Sequence, residues 1–281
     1  MARADGRSFR EHRAVEATVG FQRNAEGSVL YRTGSTVVLC TASIDASVPA
    51  WMAGKGRGWI TAEYQMHPRS GPDRRESRDG RGKAPSGRTQ EIQRLIGRAL
   101  RAAIDLEKLG ERSVAVDCDV LEADGGTRTA SITGGFIALA LALDKLKKAG
   151  LLKVPVLREQ VAAISVGYLD GAEDVAVDLV YTEDSKARVD LNLVATERGR
   201  IVEVQATAEG EAIPRKDIDR MIDAGLSATD ALCRLQREIL GRAGVDASPH
   251  TRSCMHRRDE RAHPARPRPH LLRGGRLLER A

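Results

Sequence analysis

Two short strings in this chain carry the residue types that hold phosphate. One is Ser86-Gly87-Arg88-Thr89-Gln90-Glu91-Ile92, and the other, further along, is Gly125-Gly126-Thr127-Arg128-Thr129. Each is a small-residue turn with an arginine, running directly into an apolar-periodic stretch that predicts a helix. A helix N-terminus exposes unpaired backbone N–H groups and the positive end of its dipole. Glycine lets the backbone come close to a ligand, and an adjacent arginine supplies a fork that fits a phosphate. Gly with Ser or Thr before a helix is also ordinary capping. Two such turns in one body point to a site for a phosphate-like anion.

A carboxylate cluster follows. Asp178, Glu183, Asp184 and Asp190 fall within thirteen residues, 178 to 190. Two carboxylates beside a phosphate site suit Mg²⁺, which takes one or two carboxylates and completes its shell with phosphate oxygens and water. Any one of these acids, taken alone, reads as a hairpin-turn marker. No Ser/His/Asp arrangement competes: His12 and His67 lie in polar stretches, and the other four histidines are in the last 34 residues, 248–281.

The elements that must position these groups follow from periodicity. Ser28–Arg32 and Thr36–Thr41 are β-branched and apolar around a Thr33-Gly34-Ser35 turn, which predicts two strands. Residues 68–87 are rich in Gly, Pro and Arg without apolar periodicity and predict a long loop. Ile92, Leu95, Ile96, Ala99, Leu100 and Ala103 mark one face of a helix expected to end near Gly110. Val114, Val116, Cys118 and Val120 alternate as in a strand, and a second helix runs from the Gly-rich turn to Gly150. Four more strands are expected at 161–169, 175–181, 188–196 and 200–207, with a closing helix at about Arg215–Leu240. Asp178 then sits on a strand, and pairing of the strands around it would bring Asp184 close to Asp190. These groupings predict an α+β body of two similar halves, one domain over residues 1–247.

Composition bounds the reading. Hydrophobic residues make up 41%, enough for a core, but aromatics only 3%, which argues against rows of stacking residues for single strands. Four scattered cysteines without CxxC spacing read as reduced cytoplasmic thiols rather than a zinc site. No signal peptide and no membrane span are expected, since no apolar run approaches ~20 residues. The net charge is +6, yet residues 248–281 hold 9 Arg, no Lys and 3 acidic residues, a net of +6, so the body is neutral. Within it, residues 55–101 contain 12 Lys/Arg against 5 Asp/Glu, compatible with a nucleic-acid path or with a solvated face. The Arg/Pro/His-rich tail 248–281 has no apolar periodicity and is expected to be disordered. It reads either as a nucleic-acid-binding arm or as a GC-rich message read out of frame, the second being preferred.

The strings carrying this chemistry also carry a resemblance. Arg3-Ala4-Asp5-Gly6-Arg7, Gly56-Arg57-Gly58-Trp59-Ile60-Thr61-Ala62-Glu63-Tyr64, Ser86 to Arg98, Asp117 to Leu121, Ala123 to Gly134, Glu183-Asp184-Ser185 and Glu203 to Gly210 closely resemble ribonuclease PH. That family comprises phosphorolytic 3′→5′ exoribonucleases that trim tRNA precursors. The match runs from about residue 3 to about residue 240, departing slightly at Gln205-Ala206-Thr207, where relatives often have Gly after Gln. The resemblance implies the ribonuclease PH fold, two related mixed halves of ribosomal protein S5 domain 2-like type. It implies a homohexamer, a trimer of dimers. It implies that Arg88, Gly126, Thr127 and Arg128 bind inorganic phosphate as co-substrate. Asp184 and Asp190 would hold the catalytic Mg²⁺, with Arg128 assisting catalysis. Arg57, Arg69, Arg74, Arg75, Arg78 and Arg81 would contact tRNA and other RNA 3′ ends. Two rivals remain: a non-catalytic ring subunit that threads RNA, which would be expected to lose some of these groups, and a hydrolytic Mg²⁺ nuclease, which needs no anion cradle.

Overall fold

The computed structural model describes residues 3, 5–72 and 84–246. Arg74, Arg75, Arg78 and Arg81, and the whole tail, lie outside the described residues.

The first sheet holds β1 (Val15–Val19), β2 (Gly27–Thr33), β3 (Thr36–Asp45), β4 (Trp59–Met66) and β5 (Ser113–Glu122), in the order β1-β2-β3-β5-β4. The β2–β3 hairpin forms as the sequence predicts. Thr33 pairs with Thr36 across a two-residue turn whose Gly34 takes φ +55°, the left-handed conformation such tight hairpins require. β1 and β4 are additional to the strands expected from periodicity. β4 runs parallel to β5, so the chain must cross over between them. Helix α1 (Gly87–Ala102) makes that crossover, burying Ile92, Leu95, Ile96, Ala99 and Leu100 against the sheet. It does not continue to Gly110. A separate turn, α2 (Leu106–Leu109), follows, because the Asp105 carboxylate accepts from the Lys108 N–H at 3.4 Å and restarts the helix.

Helix α3 (Thr127–Lys148) is enclosed nearly all round by both sheets and by α1. It is the one helix among the described residues long and apolar enough to cross a membrane, and 83% of that stretch is buried inside the protein. Its close approach depends on Gly134: a Cβ there would lie 2.9 Å from the Tyr31 Cβ and 3.0 Å from the Cys40 Sγ.

The second sheet holds β6 (Val161–Tyr168), β7 (Ala176–Val177), β8 (Val189–Thr196) and β9 (Ile201–Ala208), ordered β7-β6-β8-β9 and antiparallel throughout. Helix α5 (Arg215–Arg242) covers it, and the Gln236 amide donates to the Thr133 and Val161 carbonyls at 3.0 Å each, tying α5 to α3 and β6. The expected strand over 175–181 is corrected. Only Ala176–Val177 are extended, they pair with β6 and not with β8, and residues Tyr181–Asp184 form a short helix, α4. The reason is Asp178, which takes φ +56° and so turns the chain out of the sheet.

Candidate active site

The two phosphate-type turns open onto one cleft. At the end of β5 the chain passes through Gly125 (φ +73°) and Gly126 (φ +65°) into α3, so that Arg128 is the second residue of that helix. Glycine is required at 125, where a Cβ would meet the Leu179 carbonyl oxygen at 2.3 Å. No side chain caps α3. At the other turn, the Ser86 hydroxyl accepts from the Thr89 N–H at 3.1 Å and caps α1, leaving exposed Arg88 as its second residue. Arg88, Gly126, Thr127 and Arg128 line a cleft of about 290 Å³ together with Asp184 and Asp190. Six groups singled out in the sequence therefore meet in space.

The carboxylates come from the second sheet. Asp184 ends α4 and Asp190 is the second residue of β8. Among the described residues neither is in an ion pair. Asn192, one sheet position further on, donates to both Asp190 oxygens at 3.3 and 3.5 Å. Burial pushes Asp184 above the ordinary carboxylate range, opposed by Arg128 and then Arg88. Burial also pushes Asp190 up, and the neighbouring Asp184 charge adds to it, opposed by Arg128, Asn192 and Arg88. The same two arginines oppose the upward shift that burial imposes on Tyr64, whose hydroxyl lies 2.9 Å from that of Thr127. Both turns thus act electrostatically on one set of groups.

No group of three or more His, Cys, Asp and Glu able to hold a metal occurs among the described residues. The Asp184–Asp190 pair alone fits an ion that keeps water and substrate oxygens in its shell, as Mg²⁺ does. Burial raises both acids and the Asp184 charge raises Asp190 further, with Arg128 and Arg88 opposing only in part, so a divalent cation between them would be favoured electrostatically.

Other expectations resolve differently. Asp178 and Glu183 do not join the cleft; both are buried in ion pairs with Arg13 and Arg3. Burial alone would raise Asp178, but its hydrogen bonds and ion pair with Arg13 hold it below the ordinary range. Exposed Arg69 follows β4 at the cleft end, whereas exposed Arg57 precedes β4 at the opposite end, roughly 25 Å away by strand rise. Residues that motif reasoning left unassigned include Gln205, whose carbonyl accepts from Arg128 at 3.2 Å, and Asn192, its cross-strand partner. Their signal was positional: both lie on strand faces adjoining the expected metal carboxylate.

Residues 11–143 match the model of the 3′ exoribonuclease family, domain 1, and residues 159–228 match domain 2 of the same family. Over 239 residues the chain is 53% identical to ribonuclease PH of Mycolicibacterium smegmatis and 52% identical to that of Mycobacterium leprae, in each case covering 85% of this chain and 91% of the relative. The chain belongs to the ribonuclease PH family. Its fold is shared with the solved Archaeoglobus fulgidus exosome with RNA bound to the active site, at TM-score 0.67 and 25% identity over 85% of this chain and 92% of that one. An archaeal exosome core aligns at TM-score 0.64 and 22% identity, covering 84% and 91%. In this ribonuclease PH relative, the first matched region supplies Arg88 and the Gly-rich turn, and the second supplies Asp184 and Asp190.

Proposed function

We propose that the protein is a phosphate-dependent 3′→5′ exoribonuclease that trims tRNA precursor ends and releases nucleoside 5′-diphosphates. One observation carries the reading: two helix N-termini, each with an arginine at its second position, face two unpaired carboxylates across a single cleft.

Inorganic phosphate is the nucleophile and the RNA 3′-oxygen leaves, so no protein nucleophile is needed. The unpaired N–H groups at the start of α3, with the Arg128 and Arg88 guanidiniums, bind and orient the attacking phosphate and offset repulsion between two anions. Gln205 holds the Arg128 guanidinium through its side-chain carbonyl, and Asn192 orients the Asp190 carboxylate. When bound by Asp184 and Asp190, Mg²⁺ supplies positive charge against the transferring phosphoryl group. Exchange of one phosphate ester for a diphosphate makes the reaction reversible. The presence of both arginines and both carboxylates disfavours the RNA-threading subunit, and the paired anion turns disfavour hydrolysis by water.

In the same reading, residues 1–247 are the catalytic body, acting as a homohexamer built as a trimer of dimers. Arg57, Arg69, Arg74, Arg75, Arg78 and Arg81 grip the RNA backbone. Free thiols at buried Cys40, Cys118 and Cys233 suit a reducing compartment, the cytoplasm. Incubation of a tRNA precursor with Mg²⁺, with and without phosphate, tests the proposal. Nucleoside diphosphates released only with phosphate support it; monophosphates released without phosphate refute it.

A further inference from the structure

The cleft is assembled from two sheets, and few direct contacts join the phosphate turn to the acidic helix α4. The structure supplies a further tie from the segment preceding β1. Arg13 is buried, and its guanidinium forks onto Asp178, Nε to Oδ2 at 2.9 Å and Nη2 to Oδ1 at 2.7 Å. The same guanidinium reaches the other side of the cleft wall, donating from Nη1 to the Asp124 carbonyl at 2.6 Å and from Nη2 to the Gly125 carbonyl at 3.3 Å. Thr36 duplicates the grip on the turn. Its hydroxyl donates to the Gly125 carbonyl at 2.7 Å and accepts from the Asp124 N–H at 3.0 Å. Asp124 in turn accepts from the Tyr181 N–H, the first residue of α4, at 3.1 Å.

The side of α4 away from the cleft is held by the same segment. Arg3 forks onto Glu183 at 2.9 and 2.6 Å and donates to the Val177 and Asp178 carbonyls at 2.7 and 2.9 Å. Asp178 therefore sits in its left-handed conformation with its carboxylate, and its carbonyl, both occupied by arginines from the N-terminal segment.

We infer that Arg13 and Thr36 are positioning residues of the phosphate site, fixing the 124–128 turn against α4 so that phosphate is bound at the distance the carboxylates require. Neither lines the cleft itself. The inference rests on the phosphorolytic reading and adds residues to it. A fork is needed because one planar group must serve a carboxylate on one half and two carbonyls on the other; a lysine point charge cannot do both. A pair that only stabilised the fold would lower the melting temperature and leave phosphate affinity of the folded protein alone.

The experiment uses the full chain in Mg²⁺ buffer, below the melting transition of each variant. Inorganic phosphate is titrated calorimetrically without RNA, and kcat and both KM values are measured on a short unstructured RNA. Thr36→Val removes the hydroxyl without burying a charge, and is expected to weaken phosphate binding about fivefold. Arg13→Lys is expected to weaken it at least about tenfold, with phosphate KM rising in parallel and RNA KM unchanged. Folded variants that both retain phosphate Kd and KM within about twofold of the parent overturn the inference. If Arg13→Lys does not fold, Thr36→Val decides by the same threshold. A parent protein that releases diphosphates while both variants bind phosphate normally sinks this inference alone; a parent that neither binds nor uses phosphate sinks the phosphorolytic reading, and this with it.

Discussion

Replacing Arg128 by alanine separates two jobs that the cleft gives one side chain. The first is direct. On the phosphorolytic reading, the guanidinium that Gln205 holds beside the cleft makes a charge-assisted hydrogen bond to phosphate, and its loss should cost at least about 2 kcal/mol of transition-state stabilisation, roughly thirtyfold in kcat/KM for phosphate. The second acts through the carboxylates. Arg128 is the foremost cation opposing the upward shifts of Asp184 and Asp190, with Arg88 behind it at both. Both acids already lie above the ordinary carboxylate range, so removing Arg128 raises them further and leaves a larger protonated fraction at any mildly acidic pH. The acid limb of the rate profile should therefore move to higher pH in Arg128→Ala, and by less in Arg88→Ala. The assay is phosphorolysis of a short RNA across pH 5 to 9 at fixed Mg²⁺, with phosphate varied. An Arg128→Ala enzyme of near-parent activity, or an acid limb displaced further by Arg88→Ala, refutes the reasoning.

Asp190→Asn should abolish phosphorolysis yet stabilise the fold at neutral pH. The native pKa of Asp190 is raised, so the folded state binds more protons, and parent stability falls as pH rises from the ordinary carboxylate value through the raised one. Thermal melts should show the variant ahead of the parent at pH 7, the advantage gone below about pH 4, and Mg²⁺ raising the melting temperature of the parent alone. Replacing Arg74, Arg75 and Arg78 together should weaken tRNA binding and flatten its salt dependence while trimming of a short unstructured RNA changes little, whereas truncation after Ala247 should leave folding and trimming nearly unchanged; filter binding across a salt series checks both, and the reverse pattern assigns the RNA grip to the tail. Light scattering at assay concentration should find a hexamer, and an active monomer would contradict the ring.

Local pattern was enough for the parts of the site whose geometry is local. A small-residue turn before an apolar stripe foretold the starts of α1 and α3, and Arg88 and Arg128 lie at equivalent positions there. Where distant residues decide the backbone, pattern misled. Val175, Val177, Leu179 and Tyr181 alternate as in a strand, and their neighbour Asp178 breaks it because Arg13, 165 residues earlier, fixes its side chain. The break at Ala102 is subtler, since α1 and α2 together carry an almost continuous helical pattern and are separated by the Asp105 cap and by pairing of residues 103–105 with the distant 156–158 backbone. Gln205 was legible as a strand residue and not as a partner of Arg128, because strand register relates β9 to β8 but not to the start of α3. Glu183 and Asp184 adjoin in sequence, and only the fold assigns one to Arg3 and the other to the cleft.

The N-terminal tie also orders events in time. Arg3 binds Glu183, 180 residues downstream, and Arg13 binds Asp178, 165 residues downstream, so both arginines are made long before their partners. At the usual pace of translation, about 5–20 residues per second, that wait lasts roughly ten to forty seconds. For the later part of it the Gly125–Arg128 turn exists without Asp184 and Asp190, which come later in the chain. Until the second sheet has been made and captured by Arg3 and Arg13, the growing chain carries an anion-binding turn with no acidic pair opposite it.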